Sequence, residues 1–529
     1  KIVGNPKHTL SNGRLCPRGT GGTGLLYDPD RLKKPLVRVN ARGGQAFREV
    51  EWPEALDRVA DGMKALRDKH GPESLALYTH GFGGSWFKHL LRAYGSANIA
   101  APSYAQCRGP REAGFQLTFG QGVGSPENTD MENSRCITLL GSHLGENMHN
   151  TQVQEFARAL SRGAGLVVVD PRFSVAAGKA DHWLPIKPGT DIALLLAWMH
   201  VILAEGLYDR EYVDKYAVGL DKLRQHVADK TPEWAYAATT IPPEKIVETA
   251  RFLAGARPAS LVHPGRHVTW YGDDTQRTRA IAILNALLGS WGHRGGFFLP
   301  AQLPIPQYPY THYGTEPKPP ADAAKGVAYP FADETIASGV CEASIPNTAD
   351  YDIKGWLVYG TNLLLALPDP EKTKRAIQAL DLLVAIDVLP AEITGWADVV
   401  LPEATYLERC DEIDAPPWRV PFAAVRQAVV EPLYDTKPGW WIARELAHRI
   451  GLADYFPWKD STEYAMQRVH AAGLDCDVMR RDGVVVGRPV PVTIEDGIEP
   501  SFGTESGKIE IFSQALADAG FDPLPNFTP

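Results

Sequence analysis

Short aliphatic runs alternate with stretches in which apolar residues recur every three or four positions, beginning near Glu54. Leu75-Ala-Leu-Tyr-Thr-His80 predicts a strand, and Gly81-Phe-Gly-Gly84 turns the chain into a helix through Leu91. Cys136–Leu140 predicts a second strand and Thr151–Arg162 a helix, which Gly163-Ala-Gly165 closes before the strand Leu166–Asp170. The pattern recurs at Ala259–His263 with a helix from Asp274 to Leu288, and at Trp356–Tyr359 with a helix from Pro370 to Leu380. Strand–helix–strand units of this kind predict an α/β fold of doubly wound parallel sheets. Ile192–Ala204 is apolar over 13 residues apart from His200, too short to span a bilayer, and predicts a buried helix. Leu299–Asp350, rich in Pro, Tyr and Gly, predicts a long excursion over a site or an interface.

One pattern occurs twice. The first copy runs strand, Gly141-Ser-His-Leu144, helix, strand, Asp170, then Ala180-Asp181-His-Trp-Leu184-Pro185. The second runs strand, Gly360-Thr-Asn-Leu363, helix, strand, Asp387, then Ala397-Asp398-Val-Val-Leu401-Pro402. Asp170 to Asp181 and Asp387 to Asp398 are the same distance apart in sequence. A glycine directly after a parallel strand lets backbone amides approach a phosphate near a helix N-terminus. An acid ending the next strand can accept hydrogen bonds from a ribose or a purine edge. Two copies predict two similar nucleotide-containing ligands, one per α/β half.

Composition narrows the class. The 529 residues carry a formal charge of −9 and are 44% hydrophobic and 22% charged, an ordinary globular balance with length for about three domains. This charge makes a nucleic-acid partner a poor expectation. No G-x-G-x-x-G follows a strand, which argues against a nicotinamide dehydrogenase. The six cysteines are scattered without a C-x-x-C pair, so they form no disulfide scaffold.

Two of those cysteines sit in polar, Pro/Gly-rich surroundings. Cys16 lies in Asn12-Gly-Arg-Leu-Cys16-Pro-Arg-Gly19, where an inert thiol is one reading. Cys107 lies in Ser103-Tyr-Ala-Gln-Cys107-Arg-Gly-Pro110, where Arg108 and Arg111 could stabilise a thiolate. From chemistry alone Cys107 reads equally as a nucleophile or as a soft-metal ligand. His263-Pro-Gly-Arg266-His-Val-Thr-Trp270 ends a strand, the place where open α/β sheets bind ligands. Arg266 is the first candidate for an anion partner, unless Asp273 or Asp274 pairs with it structurally. His80, ending the first strand of the sheet, is the second candidate, as a hydrogen-bond donor or proton source.

The ordered set of motifs resembles the molybdopterin oxidoreductases of the dimethyl-sulfoxide-reductase superfamily over essentially the whole chain. The motifs are Gly13-Arg-Leu-Cys16-Pro-Arg-Gly19, Tyr27-Asp-Pro-Asp-Arg31-Leu, the duplicated Gly/Asp pattern, Ala180-Asp181 through Gly189-Thr-Asp191, Ala397-Asp398-Val-Val-Leu-Pro402 and Glu505-Ser-Gly-Lys-Ile-Glu510. Within the superfamily the chain is most similar to catalytic subunits of polysulfide and thiosulfate reductases.

The resemblance implies a bis(molybdopterin guanine dinucleotide) molybdenum cofactor with Cys107 as thiolate ligand. Gly141, Ser142, His143, Asn147, Asp170, Arg172, Gly189 and Asp191 would serve one dinucleotide, and Gly360, Thr361, Asn362 and Asp387 the other. Cys16 would be the last of four ligands of a [4Fe-4S] cluster, with Arg18 between cluster and pterin. The three other cluster cysteines and a C-terminal β-rich cap domain are expected to lie outside this chain. The expected domains are a remnant of the iron–sulfur domain at 1–50, grouped with 461–529, a dinucleotide-binding domain from 51–125 and 345–460, and an inserted one at 126–330. Arg108 after Cys107 departs from the His usual in formate dehydrogenases of the superfamily. The implied activity is two-electron reduction of a small anionic sulfur substrate. Reduction of arsenate or tetrathionate, or a metal-free electron-relay role, are the alternatives. An iron–sulfur subunit and a membrane anchor would be partners, on the periplasmic face, with no transmembrane segment in this chain.

Overall fold

The computed structural model describes residues 1–142, 144, 151–265, 269, 271–306, 313–314, 316–322 and 329–529. In chain order, the elements that matter here begin with β1 (Leu36–Arg38), β2 (Phe47–Glu49), α1 (Trp52–His70), β3 (Leu75–Thr79), α2 (Gly84–Tyr94) and β4 (Ile99–Ala100). There follow α3 (Gly109–Phe119), β5 (Cys136–Leu140), α4 (Val153–Ser161), β6 (Gly165–Val169), β7 (His182–Leu184) and α5 (Asp191–Ala204). The remainder are β8 (Ser260–Val262), α6 (Asp274–Leu287), β9 (Gly355–Tyr359), α7 (Pro370–Ala379), β10 (Leu382–Asp387) and β11 (Val399–Pro402).

The chain forms two compact units, each assembled from separate stretches. The first comprises Lys1–Gln106, Leu303–Ala415 and Phe422–Val486. Its seven-stranded sheet has the order β2-β1-β11-β10-β9-β3-β4. The five strands from β11 to β4 are parallel, and β1 joins β11 antiparallel as part of a hairpin with β2. Successive residues of the central strands enter different cores, as a pleat requires. Leu75, Leu77, Leu357, Val384 and Ile386 pack with Val59 and Met63 of α1. Ala76, Tyr78, Trp356, Val358 and Ala385 pack with Ala376 and Ile377 of α7. Both faces are covered, so the strands read as unbroken apolar runs.

The second unit comprises Cys107–Gln302, Pro416–Pro421 and Gly487–Pro529. Its sheet, β7-β6-β5-β8, is parallel throughout. The apolar run at Ile192–Ala204 is a helix, α5, buried almost all round, as its hydrophobicity on every side demands. Residues 487–529 belong to this unit, not with 1–50 as the sequence grouping expects. Ile509–Glu510 pairs in parallel with Ala217–Val218, and Ile509, Ile511 and Leu524 enter the second unit's core. The excursion after Leu299 is largely irregular among its described residues, with one short helix at Ala337–Glu342.

Candidate functional site

The repeated motif becomes a repeated geometry. In the first unit Tyr359 of β9 aligns with Thr79 of β3 and with Ile386 of β10, so His80, Gly360 and Asp387 stand side by side at the carboxyl edge. In the second, Leu140 of β5 aligns with Val169 of β6, which sets Gly141 beside Asp170. Gly141 N–H donates to Val169 O at 2.9 Å and Gly360 N–H to Ile386 O at 3.1 Å. Both glycines hold φ at +58°, a left-handed conformation that penalises a side chain. Among the described residues, a Cβ on Gly141 would meet nothing within 4 Å, and one on Gly360 only His80 O at 3.4 Å. Among the described residues, nothing crowds either strand end, as a phosphate cradle requires.

The acids differ in their immediate partners. Asp170 is buried and its Oδ1 accepts from Arg172 N at 2.8 Å, while its carbonyl accepts from Trp183 Nε1. Burial pushes the Asp387 carboxyl above its ordinary range, against the amides of Val388 and Leu389. Asp191 opens α5, and burial raises it too, with Arg277 opposing. Gly189, at φ +85°, lies under the Tyr271 ring, which a Cβ would approach to 3.2 Å. Ser142 is buried beside this edge. Asn362 caps Leu363–Ala366, accepts from Ile393 N at 3.3 Å and donates to Glu392, so its amide ties down the loop after β10. Thr361 is half-buried and His80 exposed. His143, Asn147 and Arg266 lie outside the described residues.

Cys107 is half-buried and lies in a π-helical turn, Tyr104–Arg108, that runs directly into α3. Arg111 does not face that sulfur as an available cation. It is buried, pairs with Glu112 at 2.5 Å and with Glu127, and donates to the carbonyls of Gly124 at 2.8 Å and Gly265 at 3.1 Å. Gly265 N–H in turn donates to His263 Nδ1 at 3.1 Å, and His263 Nε2 contacts Gln152 Oε1 at 3.0 Å. This network holds the strand end at His263 and Gly265. Glu127 and Gln152 carry no local sequence signal, because their partners are distant in the chain. Asp274, offered as a partner for Arg266, is engaged by Thr269 and by Arg277 Nε at 3.0 Å.

Cys16 caps the turn Pro17–Thr20. Its thiol is held below the ordinary value, chiefly by the Gly19 amide and then by Arg18. Arg18 itself is exposed. Arg31 anchors this segment: with Glu408 it forms a fully buried ion pair at 2.7 Å, and it donates to Leu26 O at 2.9 Å.

The family description "molybdopterin oxidoreductase" matches residues 31–449, four-fifths of the chain. The chain belongs to that family. This molybdopterin oxidoreductase is 32% identical to the thiosulfate reductase molybdopterin-containing subunit PhsA of Salmonella typhimurium, over 98% of its own length and 72% of the relative's. It is 28% identical to the acetylene hydratase of Syntrophotalea acetylenica, over 100% of its own length and 75% of the relative's. Its structure is similar to that of acetylene hydratase from Pelobacter acetylenicus, with TM-score 0.85 and 26% identity over 97% of this chain and 74% of that one.

The residues present fit the molybdenum–pterin group that the family implies. Two open glycine cradles with an acid beside each suit paired phosphate- and purine-bearing ligands. Among the described residues, no three His, Cys, Asp or Glu side chains converge as a metal site. No described helix is long and apolar enough to cross a membrane.

Proposed function

We propose that this chain is the catalytic subunit of a respiratory reductase that passes two electrons to a small sulfur anion, polysulfide or thiosulfate. The observation that carries the reading is the 32% identity to a thiosulfate reductase subunit across 98% of the chain. The paired strand edges and the half-buried thiol in the π-helical turn before α3 support it.

When bound, the bis(molybdopterin guanine dinucleotide) molybdenum group supplies two-electron redox chemistry. Cys107 would hold the metal through a soft, electron-donating thiolate. Gly141, Ser142, Asp170, Gly189 and Asp191, with His143, Asn147 and Arg172, would seat one dinucleotide. Gly360, Thr361, Asn362 and Asp387 would seat the other. Cys16 would ligate a [4Fe-4S] cluster, and Arg18 would lie between it and the pterin. Arg266 would bind the substrate anion, since a guanidinium stays charged and offers several donors. His80, exposed at the strand edge, would donate a hydrogen bond or a proton. An iron–sulfur subunit would deliver electrons and a membrane anchor would hold the complex at the periplasmic face.

Acetylene hydratase is the second reading, because a structure of that name aligns over 97% of the chain. Steady-state assay of the loaded full-length complex on thiosulfate, polysulfide, tetrathionate, arsenate and acetylene separates the readings. Turnover of a sulfur anion with Arg266→Ala lowered at least about tenfold in kcat/KM, at unchanged molybdenum, is the expected result, since a charge-assisted hydrogen bond is worth about 1.5–3 kcal/mol. Activity on acetylene alone would overturn the sulfur assignment.

A further inference from the structure

The second acid of each repeat closes its sheet at the edge opposite the candidate site. Asp398 Oδ2 accepts from Leu383 N at 2.7 Å, and Asp398 N–H donates to Leu383 O at 2.8 Å. Asp181 Oδ2 accepts from Leu166 N at 2.8 Å, and Asp181 N–H donates to Leu166 O at 2.9 Å. The 217 residues that separate Asp398 from Asp181 also separate Leu383 from Leu166 and Ile377 from Leu160. The two latches are copies of each other.

Only one is filled. In the first unit, Arg42 enters from the loop between β1 and β2. Its Nε donates to Asp398 Oδ1 at 2.9 Å, its Nη2 to Asp398 Oδ2, and its Nη1 to Ile377 O at 2.8 Å and to Leu380 O, near the end of α7. In the second unit the corresponding place is a notch of about 850 Å³ lined by Asp181, Leu160, Ser161, Gly163 and Phe252. Among the described residues, Asp181 forms no ion pair, and its carboxylate accepts only the Leu166 amide. Gly163 is left-handed at φ +86°, where the equivalent Leu380 is extended, so this helix end turns away earlier.

We propose that this notch is a receptor for the guanidinium of one arginine carried on a loop of a partner polypeptide. A carboxylate offers the two acceptors that a guanidinium fork matches, and the carbonyl end of α4 adds negative dipole charge. Arg42 uses all three nitrogens across that spread of acceptors, which a compact ammonium cannot do. The cations at the rim do not fill the place. Lys354, directly before β9, stands where Arg135 stands before β5, and it coexists with Arg42 by pairing with Asp352 at 2.8 Å. Arg135 and Lys179 also line the notch, and their charge favours an arginine whose neighbours are neutral or acidic. The proposal is independent of the reaction assigned above.

The first probe is the chain's own filling loop, residues 40–47 closed into a ring, which carries Arg42 as its single arginine. Titrated into the full-length protein at low salt, it should bind saturably at one site. Asp181→Asn keeps an oxygen for Leu166 N–H, and with unfolding temperature unchanged it should weaken binding at least tenfold. Replacing the probe's arginine with glutamine should do the same. No saturable binding, or binding indifferent to both changes, overturns the receptor. A photo-crosslinker at position 179 in the native complex identifies the occupant. A crosslinked partner peptide that contains arginine, and that disappears in Asp181→Asn, supports the proposal. A crosslink that persists in that variant, or a partner peptide without arginine, overturns it.

Discussion

What surrounds each sulfur separates five of the six cysteines, Cys476 being half-buried with its thiol on Met466 O. Burial pushes the Cys136 thiol up to about 12 and the Cys341 thiol up to about 11, and it raises Cys410 as well. Those three are small hydrophobes of the cores. Cys16 and Cys107 are half-buried, and amide donors hold the Cys16 thiol low. Brief alkylation of cluster-free protein at neutral pH followed by mass spectrometry should mark Cys16 and leave Cys136 and Cys341 unmodified until the protein unfolds. Cys107→Ala should keep the unfolding temperature and pterin content but lose turnover, and retention of near-normal activity would remove it from the metal. Asp414 gives a residue-scale test on stability. Burial pushes its carboxyl from 3.8 up to about 6, so the folded state holds the proton more tightly than the unfolded chain. Its contribution is therefore most favourable at acid pH and is lost as pH rises from about 4 to about 6, by about 3 kcal/mol. Denaturant titrations of wild type and Asp414→Asn across that range should show this difference, with the variant relatively more stable above pH 6.

At the level of elements, the two repeats share a division of labour along each strand pair. Asp170 and Asp387 sit at the carboxyl edge, whereas Asp181 and Asp398 latch the opposite edge. Asp170→Ala or Asp387→Ala should lower pterin content of the purified protein, at a cost near 1–3 kcal/mol for stranded donors, with little change in unfolding temperature. Normal pterin content in both variants would reject their assignment to the ligand. The Arg31–Glu408 pair behaves differently. Both side chains are fully buried, so Arg31→Met leaves an uncompensated carboxylate and should destabilise by about 3–5 kcal/mol in a denaturant titration. The motif around Tyr27–Leu32 is thus structural: its arginine fastens the Cys16 segment to Thr405–Glu408 and, through Glu408, to Leu433.

At the scale of the molecule, the first sheet is gathered from residues 36–49, 75–100 and 355–402. A fragment ending at Gln302 lacks β9, β10 and β11, the middle of that sheet. Hydrogen exchange at Leu75–Thr79 should then lose the protection it has in the full chain, because β3 would have only β4 as a partner. The sequence alone determined the parallel strands, the buried helix at Ile192–Ala204, the duplicated glycine–acid edges and the two distinctive thiols. Each of these is a local pattern: apolarity along a strand or helix, a turn that needs glycine, or a residue type in a polar, Pro/Gly-rich stretch. Only the tertiary structure decided that Arg111 is consumed by Glu112 and Glu127, that Asn362 ties down a loop, and that 487–529 joins the second unit. It alone decided that Arg42 fills one latch while the other stands open. The physical reason is common to all four. Ion pairs, side-chain ties and edge pairings depend on which groups the fold brings together, at separations from one residue for Arg111 and Glu112 to more than three hundred for Arg42 and Asp398. Neither periodicity nor spacing encodes which partner satisfies a charge or covers an edge.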